Sequence, residues 1–126
     1  MDVFGEMYLS YPDSQRYFGE FQTKVKFKIT NADLIAKETM GMVYFTEERY
    51  GPYYVENNDE IVPCRLEDAT TEFYDIRKEI DKRIKDIAVR IAIKNKTTEV
   101  VFDASEIFDE KLENEIEEIM AEVAMS

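Results

Sequence analysis

Histidine is absent from this chain of 126 residues, so the side chains left for chemistry are carboxylates, lysines, tyrosines and one cysteine, Cys64. The commonest general base and the commonest transition-metal ligand are thereby missing together. An enzyme built from the remainder would draw on carboxylates such as Glu47, Glu48, Asp59 or Glu60, or on a thiolate at Cys64. Cys64 follows Pro63 in the apolar run IVPC, which predicts a small buried residue and not a reactive thiol. A single cysteine also rules out an intrachain disulfide and a multi-cysteine zinc site. Glycine-rich phosphate loops, nucleophile elbows, HExxH and CxxC are all missing from the sequence. The run ENNDEIVPCRLE puts Glu56, Asn58, Glu60 and Glu67 in phase with a calcium loop. It has Glu where the first ligand should be Asp, and Ile61 where the tight turn needs glycine. A turn rich in Asn and Asp for backbone reasons explains that segment better. The expectation is a protein that is not an enzyme, with no cofactor and no bound transition metal.

Two groups of residues remain as candidates for binding. In YFTEERYGPYYVENNDE, residues 44–60, Tyr44, Arg49, Tyr50, Tyr53 and Tyr54 crowd around a Gly-Pro break. Tyrosines on paired strands often only cover a sheet, but Tyr and Arg are also the residues of binding hot spots. The same residues could stack on a small nucleotide-like molecule and hydrogen-bond it. The second group is acidic. Residues 103–126 hold nine acids against Lys111 alone, which is two thirds of the chain's net charge of −12. Glu106/Glu110, Asp109/Glu113, Glu113/Glu117 and Glu118/Glu122 are like-charge pairs at i,i+4, and each disfavours an isolated helix by roughly 0.2–0.5 kcal/mol. Such a face is simply solvated, or neutralised inside the fold by Arg77, Lys78, Lys82 or the Lys24/Lys26/Lys28 strand, or docked on a basic partner.

The elements that must position these groups change character along the chain. GEFQTKVKFKIT alternates strictly, with Phe21, Thr23, Val25, Phe27 and Ile29 on one face and Gln22 and three lysines on the other, a half-buried strand. It forms a hairpin with a strand near Glu6–Leu9 across a turn at Pro12-Asp13-Ser14. NADLIAKETMG is a loop or one helical turn capped by Asn31 or Asp33; strands follow at Met42–Glu47, Tyr53–Glu56 and EIVPC. Residues 1–65 thus predict an antiparallel β-meander. From Asp68 the period becomes helical: Phe73, Ile76, Ile80, Ile84, Ile87 and Ile91 make one stripe, capped by Asp68, Thr70 or Thr71. AVRIAIKN fits helix and strand alike, and the preferred reading ends the helix near Ile87–Arg90. A short hairpin then pairs AVRIAIKN with TTEVVFD across Asn95-Lys96. A last helix, capped by Asp103 or Ser105, runs its seam through Phe108, Leu112, Ile116, Ile119 and Val123.

The class is therefore α+β, a single domain over 1–126, mainly β over 1–65 and mainly α over 66–126. No apolar run approaches the length of a membrane span and the first ten residues lack a signal-peptide pattern, so a cytoplasmic protein is expected. The leading functional expectation is a non-enzymatic protein-interaction module. In its sharper form it is an acidic inhibitor whose Glu106, Asp109, Glu110, Glu113 and Glu117 fill the nucleic-acid-binding groove of a basic partner. The alternatives are a small-molecule binder using the Tyr/Arg hairpin and an oligomeric structural protein. Direct nucleic-acid binding is disfavoured, because only the Lys24–Lys26–Lys28 strand offers a basic footprint. Homo-oligomerisation is expected because the aromatic strands and two helical stripes offer more apolar surface than a small two-layer domain covers.

Overall fold

A computed structural model describes residues 1–9 and 23–125. The expected turn at Pro12-Asp13-Ser14, together with Phe21 and Gln22, lies outside the described residues. Six strands form one sheet in the order β3-β5-β4-β1-β2-β6. They are β1 (Val3–Leu9), β2 (Thr23–Thr30), β3 (Val43–Glu47), β4 (Tyr53–Asn57), β5 (Glu60–Asp68) and β6 (Glu99–Asp103). Every pairing among the first five is antiparallel. Their order departs from chain order: β5 lies between β3 and β4, and β4 joins the β1–β2 hairpin.

Alternation decides which face is buried. Val3, Val25, Phe27, Ile29, Tyr53 and Cys64 point into the core, and their neighbours point away. The glycine at position 5 is forced by this packing, because a Cβ there would overlap the Phe27 ring. Among the described residues, three helices supply the other side of the core: α1 (Leu34–Glu38), α2 (Tyr74–Asn95) and α3 (Glu110–Met125). α1 follows Asn31, which adopts φ 57°, and neither Asn31 nor Asp33 makes the expected side-chain cap. Thr39 closes it instead, buried, with its hydroxyl donating to Ile35 O at 2.7 Å and accepting from Val43 N–H at 3.1 Å.

α2 corrects the preferred reading of residues 88–103. The helix does not stop near Ile87–Arg90; it continues to Asn95, and β6 pairs parallel with β2 instead of forming a hairpin with AVRIAIKN. The reason is reach. Between the end of β5 and the start of β6 the chain must cross four inter-strand gaps, roughly 19 Å, and it does so as a helix of about 33 Å. Ala88 and Ala92 are fully buried, so the stripe continues past Ile87 with small residues that let the helix lie close to its neighbours. Lys96, at φ 50°, does turn the chain, but as a helix C-cap, with Thr97 N–H donating to Ala92 O at 3.1 Å. At the N-terminal end a short 3-10 turn, Thr71–Phe73, precedes α2; Thr70 flanks it in extended conformation without a side-chain cap.

Arg77 and Arg83 tie α2 to the rest of the fold. Arg77 bridges Asp68 at the end of β5 (3.2 Å) and Asp81 on its own helix (2.9 Å). Burial lowers its pKa, but the hydrogen bonds to Asp81 and Asp68 outweigh that and leave it above the ordinary arginine value. Arg83 holds Glu79 at 3.0 Å, Asp109 at 3.0 Å and the carbonyl of Ile107 at 3.1 Å. The start of α3 is thereby fastened to the middle of α2. Among the described residues no helix is long and apolar enough to cross a membrane.

Candidate functional site

The acidic residues fall into two sets. Asp103 accepts from Ser105 N–H (3.0 Å) and Glu106 accepts from Asp103 N–H (3.3 Å), the reciprocal capping arrangement that starts the 3-10 turn Ala104–Ile107. Asp109 accepts from Leu112 N–H at 2.8 Å and from Arg83. Its carboxyl is held below the usual range, first by that backbone N–H and then by Arg83. Glu106 and Asp109 are therefore engaged locally. Glu110, Glu113 and Glu117 are exposed, and among the described residues none of them has an ion pair. None of the cations expected to neutralise them reaches them: Arg77 holds Asp68 and Asp81, Lys82 reaches Asp86 at 3.8 Å, Lys24 holds Glu6 at 3.1 Å, Lys28 holds Asp2 at 3.4 Å, Lys78 lies over the Tyr74 ring, and Lys26 has no ion pair among the described residues.

The seam of α3 is used over half its length. Leu112 and Ile116 are buried and Ile119 is partly so, but Val123 is 40% exposed and Met125 88%. Beside that distal half lies a groove of ≈ 340 Å³ lined by Met40, Met42, Phe73, Met120 and Val123. Carboxylates and adaptable thioether side chains thus occupy one continuous stretch of helix surface.

The tyrosine-rich segment is dispersed by the fold. Tyr53 is 2% exposed and belongs to the core, edge-on to Phe45 and Phe27, with its hydroxyl donating to Asp81 at 2.6 Å. Burial, and then the Asp81 carboxylate, push its pKa up. Tyr50 projects from the turn after β3, 77% exposed, with the Arg49 guanidinium 5.6 Å from its ring centre. Gly51 is required there because a Cβ would collide with the Cys64 backbone on β5. Tyr44 lies on β3 and Tyr54 on β4, with β5 between them. These five residues do not line one common pocket. Cys64 is 1% exposed, and burial together with Glu47 pushes its thiol up to about 11, out of range of thiolate chemistry near neutrality. Among the described residues there is no cluster of three or more acidic or cysteine side chains placed to hold a metal.

A surface that sequence reasoning missed is the face of the sheet turned away from α2 and α3. Register places Val101, Lys28, Phe4, Tyr54 and Pro63 in one row across five strands. Next to the row, a depression of ≈ 450 Å³ is lined by Phe4, Tyr54 and Ile61, with Lys26 and Glu56 at its margins. Val101 is 62% exposed and Ile61 73%, high values for β-strand aliphatics. The available signal was VFGEMYL and EVVFD, in which apolar residues stand on both phases of the alternation.

No protein family, curated protein or solved structure matches this chain.

Proposed function

We propose that this protein is a non-enzymatic interaction module whose helix α3 docks on a basic surface of a protein partner. The observation that carries the reading is a row of unpaired carboxylates: Glu110, Glu113 and Glu117 follow one another along one helix with no cation within 4 Å, whereas other carboxylates without an ion pair among the described residues, such as Glu38, Glu56, Glu72 and Glu99, stand on separate elements. An uncompensated carboxylate row is destabilising in isolation and is relieved by an external cation. Along the helix axis these three residues are separated by about 4.5 and 6 Å, a density of negative charge suited to a groove that otherwise holds a phosphate backbone. The Met40/Met120/Val123 groove adds an apolar contact beside the charged row. The non-enzymatic part of the reading rests on the missing histidine and the buried thiol. Cytoplasmic location is part of the same proposal.

The test compares the wild type with Glu113→Gln/Glu117→Gln as immobilised baits for host proteins, with salt and a DNA oligonucleotide as competitors. A partner held by the wild type, released by salt and by DNA, and weakened tenfold or more in the variant, about 1.4 kcal/mol, is expected. Folding stability of the variant should be equal or raised by a few tenths of a kcal/mol, about one i,i+4 repulsion. A partner retained equally by the variant, at any salt, would overturn the reading.

A further inference from the structure

The face of the sheet turned away from α2 and α3 has a symmetry of charge that the acidic-helix reading does not use. Phe4 on β1 stands opposite Lys28 on β2 and Tyr54 on β4. Lys26 lies one strand away on the β2 side and two residues along, toward Glu6. Glu56 lies one strand away on the β4 side and two residues from Tyr54 in the opposite direction along the strands. Phe4 is thus midway between a lysine and a glutamate. Both are exposed, and neither has an ion pair among the described residues. Their neighbours are already paired, Lys24 with Glu6 at 3.1 Å and Lys28 with Asp2 at 3.4 Å.

We infer that this face docks a second copy of the chain in a two-fold dimer centred on Phe4. A two-fold axis lying between two such faces, passing over Phe4 and running perpendicular to the line from Lys26 to Glu56, brings Lys26 of each copy to Glu56 of the other, so one operation makes two ion pairs. Between them the Phe4, Tyr54 and Ile61 side chains supply the apolar centre that sheet-on-sheet packing requires. Any lone partner would need a matching glutamate and lysine at the same separation; a second copy has them by construction. The buried side of the sheet, where α2 and α3 pack, faces away from this interface. The dimer and the α3 docking reading therefore use different residues, and either can fail alone.

Light scattering and sedimentation of the full chain over a dilution series give the test. The expected mass rises with concentration from 14.9 kDa toward twice that value. Lys26→Glu and Glu56→Lys, both exposed, should each weaken association by about tenfold or more, because each sets like charges face to face. The double swap Lys26→Glu/Glu56→Lys restores opposite charges across the axis and should return the dissociation constant to the wild-type value. Thermal melts at low concentration check that each variant folds. A wild type that stays at the single-chain mass throughout overturns the proposal. So does a dimer that ignores both single changes, or a double variant as weak as the singles.

Discussion

Helices α2 and α3 are both amphipathic, yet the fold uses them to different degrees. α2 buries Ile76, Ile80, Ile84, Ile87, Ala88 and Ala92, and Arg77, Arg83 and Lys82 close its charges on Asp81, Glu79 and Asp86 of the same helix, on Asp68 of β5 and on Asp109. α3 buries Leu112 and Ile116, is tied to α2 at its start through Asp109–Arg83, and leaves Glu110, Glu113, Glu117 and the Met125 thioether exposed. A helix whose stripe and charges are satisfied internally is part of the scaffold. One whose stripe and charges are half satisfied has surface left over for something else.

The comparison is tested most severely by truncating apolar side chains at matching places. Ile84→Ala, at a fully buried position on α2, should lower unfolding free energy by about 2–5 kcal/mol. Val123→Ala on the distal half of α3 should change it by less than about 0.5 kcal/mol. Urea denaturation curves measure both. A loss of several kcal/mol at Val123 would mean that α3 is scaffold along its whole length.

The next effect is in charge. Arg77→Met leaves Asp68 and Asp81 without their shared cation and should cost about 1–2 kcal/mol, the exposure of roughly a quarter of the Arg77 side chain keeping it at that level. Lys82→Met on the same helix breaks a 3.8 Å surface pair and should change stability by less than about 0.5 kcal/mol. Equal losses in melting experiments would remove the distinction between the anchored and the solvated charges of α2.

The smallest effect is acid sensitivity at the α3 tether. Asp109 and Asp103 are both held below the ordinary carboxylate range, Asp109 first by the Leu112 backbone N–H and Asp103 first by the Ser105 hydroxyl and then by the Ser105 backbone N–H. A depressed folded-state pKa contributes stability that is present above the unfolded value, near pH 4 (about 3.9 for Asp), and disappears as pH falls through the folded value. Melts across that window should show Asp109→Asn losing less stability on acidification than the wild type. Identical pH profiles would show that the tether adds nothing to folding.

Sequence made the helical stripe of α2 and the alternation of β2 legible, because each element repeats one period over many residues with one face buried. The seam of α3 was readable as far as Ile119 and not at Val123, since the period persists after the core it would pack on has ended. The antiparallel pairing of β1 with β2 was readable as a hairpin, but the rest of the strand order was not. That β5 lies between β3 and β4, and β6 beside β2, depends on contacts between residues far apart in the chain. Tyr53 and Tyr54 illustrate the same limit on the binding candidates. Adjacent tyrosines on a strand must face opposite ways, and the phase is set by Asp81, 28 residues later, which receives the Tyr53 hydroxyl. Arg83 is a further case, visible as a partner of Glu79 at i,i+4 but not as the anchor of Asp109.

The parallel pairing of β6 with β2 also has a consequence for biosynthesis. The β2 edge is laid down by residue 30, but its outer neighbour, residues 99–103, leaves the ribosome only after some seventy more have been added. At about 5–20 residues per second, that edge stands open for several seconds in every nascent chain. Open edges invite pairing with other chains. Of the lysines on alternate positions along this strand, Lys24 and Lys28 are already paired with Glu6 of β1 and with Asp2 just before it, so Lys26 is the one that leaves an uncompensated charge beside the open edge during that interval.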